Sequence, residues 1–312
     1  MISLVGCTGF VGGNIARAGK FEGLYHSSNI EEAYGTKPDL LIYAGLRAEK
    51  FLAEKFPEKD LASIHEAEEN IKRIAPLKPV LISTIDVYED PFHATEEKSA
   101  KGQGAYGRNR AQMEEWIKEN YSDYLIVRLP GLFGTGIKKN FIYDYIHYIP
   151  ALLNEAKFAE LSGKNESLKE YYALNEKGFY QCRALSDTER TELRKIFEQL
   201  GFSALNFTDS RGIFQYYNLE HLYRDIFVAL DNNIKILNIM TEPVTVCEIY
   251  KHLTGESFLN ELGKEPPHYD ARSLYYPAFS GFAAEDGTGG YLYSKKQVLD
   301  EIKRFVDKET QI

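Results

Sequence analysis

The stretch Ile2-Ser3-Leu4-Val5-Gly6-Cys7-Thr8-Gly9-Phe10-Val11-Gly12 decides the fold, because an apolar strand runs directly into three glycines spaced by three residues. Glycines at 6, 9 and 12 permit a tight turn and let backbone N–H groups approach an anion at the start of a helix, where the dipole favours negative charge. A strand, a loop of this kind and a helix together form a docking site for a dinucleotide pyrophosphate. Gly6, Thr8, Gly9, Phe10, Val11 and Gly12 are the candidate contacts, with the helix under way near Gly13-Asn14-Ile15.

Outward from that loop, apolar runs suited to buried strands recur at Ile2 to Val5, Gly23 to His26, Asp39 to Ala44, Val80 to Thr84 and Tyr124 to Leu129. Helical patterns lie between them. From Asp60 to Ile74, apolar residues recur at three- and four-residue spacing and stop before Pro76, and a second such helix spans about Ala105 to Glu119, with Asn120 as its cap. The alternation predicts an α/β fold with a doubly wound parallel sheet. The unit after Gly23 is abbreviated, since only Ser27 to Lys37 separates it from the next strand. Beyond Gly136 the alternation breaks into helices and loops, including a capping box at Ser186-Asp187-Thr188-Glu189 and a stop at Gly201. It returns with a helix at Leu219 to Leu230, a strand at Ile234 to Ile239, a helix start at Glu242-Pro243-Val244-Thr245 and a last helix at Lys295 to Phe305. Two domains are expected: residues 1–135 with 216–241 and 294–308 packing back, and a smaller discontinuous domain of 136–215 plus 242–293.

Composition narrows the function. The 312 residues are 44% hydrophobic, enough for a large core, and no run approaches the roughly 18 apolar residues of a membrane span. A strand starting at residue 2 leaves no room for a signal peptide, so a cytoplasmic location is expected. A net charge of −9 argues against nucleic acid and membrane surfaces, both polyanionic. The three cysteines and seven histidines show no ligand spacing, so free thiols and no metal are expected.

Chemistry gathers in two places. Leu81-Ile82-Ser83-Thr84-Ile85-Asp86-Val87-Tyr88 puts hydroxyls and a carboxylate at the carboxyl end of a buried strand, where open α/β sheets bind ligands. Tyr106 and Arg110 stand four apart and share a helix face, where a fixed cation beside a phenol favours the phenolate. At the end of the second strand, His26-Ser27-Ser28-Asn29 offers no carboxylate to repel a ribose 2′-phosphate and no base to attract one. NAD and NADP both stay open, with a lean to NADP, and Ser27 and Ser28 could serve either.

These motifs, with Arg128-Leu129-Pro130-Gly131-Leu132-Phe133-Gly134 and Phe214-Gln215-Tyr216-Tyr217-Asn218-Leu219, resemble those of the extended short-chain dehydrogenase/reductases, in particular the NAD-dependent epimerase/dehydratase family acting on nucleotide sugars. The resemblance covers most of the chain and implies a Rossmann-type NAD(P) domain, a second domain closing over a nucleotide-activated sugar, and a homodimer. It implies that Thr84 bonds the reacting oxygen, that Tyr106 is the acid/base, and that Arg110 stands where the family has a lysine that holds the nicotinamide ribose. Arginine there cannot be deprotonated and has a bulkier planar head. Asp86 is either a further acid/base or a turn cap; because Ile85 beside it is not acidic, dehydration ranks below epimerisation or reduction. Ala44, Gly45, Arg47, Gly131 and Leu132 are implied on the cofactor side, and Lys138, Lys139, Asn140, Arg211 and Gln215 on the substrate side. A non-catalytic NAD(P)-binding regulator is the competing reading, motivated by the Arg110 departure.

Overall fold

The computed structural model describes residues 1–279 and 289–310. The chain divides into two compact units, one of Met1–Ile137, Ile213–Thr245 and Pro267–Lys303, the other of Lys138–Gly212, Val246–Pro266 and Arg304–Ile312. The described residues from Pro267 to 293, expected in the smaller domain, belong to the first unit instead. Residues 280–288 of that expected range lie outside the described residues.

The first unit is built on six parallel strands. Five of them are β1 (Ile2–Val5), β2 (Gly23–Tyr25), β3 (Leu40–Tyr43), β4 (Lys78–Thr84) and β5 (Leu125–Leu129). With Ile236–Asn238 beside β5, the order across the sheet is Ile236–Asn238, β5, β4, β3, β1, β2. The strands read as unbroken apolar runs because helices cover both faces of such a sheet. From β1 the chain steps outward to β2 and then crosses back to β3, so the carboxyl ends of β1 and β3 flank the crevice where this topology binds ligands. The abbreviated second unit is a three-residue edge strand followed by a single 3₁₀ turn, Ile30–Ala33.

Three helices matter for the site besides α1 (Phe10–Ala18): α2 (Lys50–Lys55), α3 (Pro57–Ile74) and α4 (Gly104–Asn120). Pro57 opens α3, where its missing N–H costs nothing, and Ala75 closes it in a left-handed conformation. Ile64, Ala67 and Ile71 of α3 and Met113 and Ile117 of α4 join Leu41, Leu81 and Ile126 of the sheet in one core. A buried ionic network then fixes α4 in place. Arg128 of β5 donates to both oxygens of Glu114 on α4, at 2.6 Å from Nη2, while Ser83 Oγ of β4 donates to the same carboxylate at 2.6 Å. Arg128 also donates to the Tyr88 hydroxyl at 2.6 Å. With both charges fully bonded, the desolvation cost of burying them is offset.

The second unit holds a three-stranded antiparallel sheet of Leu152–Leu153, Tyr180–Cys182 and Tyr172–Leu174, in that order, with helices Glu155–Lys164 and Asp187–Leu200. Strands of two or three residues are too short to show alternation, which is why the sequence there reads only as helices and loops. The Ser186 capping box and the left-handed Gly201 stop occur as read. Val244–Thr245, expected to open a helix, pairs as a strand with Ile213–Phe214, and the helix follows at Val246–Thr254.

Candidate active site

Two of the three motif glycines are required by contact. A Cβ on Gly12 would lie 2.1 Å from the Gly6 carbonyl oxygen, and one on Gly6, whose φ is +90°, would lie 2.5 Å from the Ala44 carbonyl oxygen. The loop is thereby pressed against the end of β3, with Thr8 and Gly9 exposed. Gly9 caps α1 without a side-chain hydrogen bond, so the N–H groups of Phe10, Val11 and Gly12, in the first turn, keep the helix's unsatisfied donor capacity. A loop with no Cβ at its two tightest points and an uncapped helix start suits a pyrophosphate.

Along the same sheet edge, Ser27, Ser28 and Asn29 follow β2 and line a depression of about 440 Å³ together with Glu31, Glu32, Tyr34 and Glu66. Ser28 Oγ lies 2.9 Å from His26 Nδ1. Ala44 and Gly45 follow β3, Gly45 and Arg47 being exposed. Gly131 and Leu132 begin the short strand Gly131–Phe133, which pairs in parallel with Tyr216–Asn218.

At the end of β4, Thr84 is half-buried and its Oγ1 accepts the Asp86 N–H at 3.2 Å, which closes the 3₁₀ turn Ile85–Val87. This bond uses an oxygen lone pair and not the hydroxyl proton. Tyr106, in the first turn of α4, is brought to the same place by Gly107, because a Cβ at Gly107 would sit 2.0 Å from the Asp86 carbonyl oxygen. Only a residue without a side chain lets α4 approach the turn that closely.

Burial pushes the Tyr106 phenol above its ordinary range; Arg110 pulls it back and Asp86 pushes it further up. Arg110 thus acts in the expected direction, toward the phenolate, but desolvation of the buried ring outweighs it. A protonated phenol is a proton donor. Arg110 itself is only 2% exposed. Its guanidinium stacks on the Tyr106 ring at 3.9 Å, donates to Asp60 of α3, and donates to the Arg47 carbonyl at 2.5 Å. These contacts hold the guanidinium, which the resemblance placed toward a nicotinamide ribose, between α3 and the loop after β3.

Asp86 is not a free carboxylate either. Its Oδ1 accepts from Lys50 Nζ of α2 at 2.8 Å. Burial raises the Tyr106 and Tyr269 phenols, and the charge of Lys50, which no spacing in the sequence singles out, pulls both down. A single six-residue helix is below the length at which periodicity is readable. Position 50 also falls in a stretch where strand and helix signals are both weak.

Gln215, Arg211 and Asn140, assigned to the substrate by resemblance alone, have partners within the protein. Gln215 is 1% exposed; its Nε2 donates to the carbonyls of Thr241 at 2.6 Å and Ala271 at 2.8 Å, and its Oε1 accepts the Ala271 N–H. It ties the first unit together and faces no solvent. In the second unit, Arg211 forks onto Asp209 at 3.0 and 2.8 Å and pairs with Glu261 at 3.0 Å. Asn140 caps the helix Phe141–His147 through Oδ1, while Lys138 and Lys139 before it are exposed. Among the described residues, no group of three or more histidines, cysteines or carboxylates could hold a metal, and no helix is long and apolar enough to cross a membrane.

No protein-family model matches the chain, and no curated protein matches it in sequence. Solved structures do. A dTDP-4-dehydrorhamnose reductase from Clostridium acetobutylicum superposes with a TM-score of 0.61 over 100% of this chain and 99% of that one, at 15% identity. The two chains share a fold. A second dTDP-4-dehydrorhamnose reductase, from Bacillus anthracis and in complex with NADP, gives 0.62 over 98% and 97% of the two chains at 13% identity. A UDP-N-acetylglucosamine 4-epimerase from Methanobrevibacter ruminantium, in complex with UDP-N-acetylmuramic acid, gives 0.60 over 100% and 98% at 13% identity. The Rossmann-type α/β fold read from the motifs is thus shared with these solved structures.

Proposed function

We propose that this protein is an NAD(P)-dependent oxidoreductase of nucleotide-activated sugars, and that among the reactions such a fold hosts it reduces a keto-sugar in preference to epimerising one. The observation that carries this reading is the placement of the Tyr106 phenol, a proton donor at neutral pH, on the helix that Gly107 brings against the turn after Thr84 at the carboxyl end of β4. A reductase needs a proton donor for the oxygen of the carbonyl it reduces, whereas the oxidising half of an epimerisation needs a base at the same place. When bound, a reduced nicotinamide supplies the hydride. Gly6, Thr8, Gly9, Phe10, Val11 and Gly12 would hold its pyrophosphate; Ser27 and Ser28 would lie toward the adenosine ribose, and Gly131 and Leu132 toward the nicotinamide. Thr84 orients the sugar carbonyl through its hydroxyl, and Tyr106 donates the proton.

The strand end without a carboxylate supports NADP, and the NADP-bound neighbour is in line with it. Glu31, Glu32 and Glu66 oppose a 2′-phosphate from the facing side of the depression. The proposed enzyme acts away from nucleic acid and membrane.

The test is to mix the purified protein with NADH or NADPH and a panel of dTDP- and UDP-4-keto-sugars while following the absorbance of the reduced nicotinamide. Oxidation that depends on the sugar is expected. Tight cofactor binding without oxidation of any sugar would replace the enzyme with the regulator that the immobilised Arg110 also suits.

A further inference from the structure

Asp86 is wedged between the two side chains assigned to the chemistry. Its N–H donates to Thr84 Oγ1 at 3.2 Å, and its carbonyl oxygen lies 2.0 Å from where a Cβ on Gly107, the neighbour of Tyr106, would be. Lys50 reaches the same place from α2. Its ammonium donates to Asp86 Oδ1 at 2.8 Å, and Glu54, one turn further along α2, accepts the N–H groups of Ala105 at 2.9 Å and Tyr106 at 3.1 Å. Residues four apart share a helix face, so one face of α2 fixes both the ammonium and the start of α4.

Hydrogen-bonding capacity is left over there. Among the described residues, the Tyr106 hydroxyl and Asp86 Oδ2 have no partner in the protein, and no group accepts the Thr84 hydroxyl proton. Neither the Tyr106 hydroxyl nor Asp86 Oδ2 is sealed from solvent, although Tyr106 is only 8% exposed and the Asp86 side chain 18%. Lys50, its side chain 43% exposed, has donors beyond the one it places on Asp86. An ammonium on one carboxylate oxygen, with the second oxygen open, presents a donor and an acceptor side by side. A hydroxyl meets both, whereas a methylene meets neither and an ether cannot donate.

We propose that Asp86 and Lys50 together recognise a free hydroxyl on the sugar carbon next to the carbonyl, so that the substrate class is the α-hydroxy keto-sugars and these two residues determine specificity for it. This rests on the reading of the site as one for nucleotide-activated keto-sugars. The carbonyl oxygen lies between Thr84 and Tyr106; the adjacent hydroxyl donates to Asp86 Oδ2 and accepts from Lys50 Nζ. A sugar without that hydroxyl covers the carboxylate oxygen and leaves it unmet, which is how a site built for a hydroxyl rejects the deoxy analogue. Asp86 then binds and transfers no proton, so its loss falls on KM more than on kcat.

The experiment uses the full chain and dTDP-4-keto-6-deoxy-sugars with and without the hydroxyl at C3. Binding is measured by isothermal titration with NADP⁺, which cannot reduce them, and turnover with NADPH. Wild type is expected to bind the hydroxy-sugar roughly 10- to 100-fold more tightly than the 3-deoxy-sugar, the range for hydrogen bonds to charged groups. D86N and K50M, each checked for folding by urea unfolding, bring that ratio close to one. Equal wild-type affinity for the two sugars, or a preference that survives both substitutions, overturns the proposal, and turnover of either sugar then leaves the reductase reading standing. A D86N loss confined to kcat assigns Asp86 to proton transfer and overturns the proposal as well. A hydroxyl preference abolished in D86N, with no sugar turned over by wild type, overturns the reductase reading alone, since recognition is read here from binding.

Discussion

The two sides of Tyr106 hold positive charge in opposite ways. Toward α3, Arg110 lies on the ring, almost wholly buried, with Asp60 and a backbone carbonyl occupying its donors. Toward α2, Lys50 pairs with Asp86 at the rim and stays open to water. A buried pair is rigid because breaking it strands a charge in low dielectric, whereas a rim pair can open at little cost. The first side therefore builds the site, and the second is free to take part in its chemistry.

The comparison breaks first at the phenol that both sides share. Y106F should lower turnover by roughly three orders of magnitude while leaving NADPH affinity within about twofold of wild type, as isothermal titration would report. Unchanged turnover would remove Tyr106 from the chemistry altogether. Next in size is the contrast between the two carboxylates. D60N leaves Arg110 buried without a counter-charge and should cost about 3–5 kcal/mol in urea unfolding. D86N, which frees an ammonium already near half-exposed, should cost less than about 1 kcal/mol. Equal losses would mean that both pairs are structural.

Smaller effects sharpen the picture. E54Q weakens the cap on α4 by about 1 kcal/mol and, by loosening α2, should reduce turnover more than it reduces stability. E31Q/E32Q removes two of the three carboxylates in the depression after β2 and should raise the NADPH-to-NADH preference severalfold, by roughly the screened repulsion of two exposed charges. A separate effect, away from Tyr106, concerns an acid shifted by burial alone. Asp144, in the helix Phe141–His147, is pushed up to about 7. The unfolded chain releases that proton near the usual carboxylate value, so between about pH 4 and 7 it binds fewer protons than the folded chain, and stability falls as pH rises through that window. D144N should flatten this slope in thermal unfolding followed across pH.

The sequence carries what is local. Three glycines after a strand and a phenol four residues from a cation are each decided within one turn or one helix, and both are found where their spacing puts them. Arg110 on Asp60 joins positions 50 residues apart, so its side chain's destination is a matter of packing between helices, invisible to spacing. The same holds for Gln215, whose three hydrogen bonds to Thr241 and Ala271 turn a polar residue near a motif into a core residue. Arg211 followed the opposite course: Asp209 stood two residues away in plain view, and the fork between them is local. Lys50 was hidden by the brevity of α2 and by the absence of any motif around it.

Because Gly6 packs on the Ala44 carbonyl and Arg110 donates to the Arg47 carbonyl, one short segment after β3 braces both the glycine loop and the helix that carries the phenol. A change of chain length at 44–49 would be felt at both places at once. A protein engineer would keep that segment's length fixed and vary side chains at the rim instead.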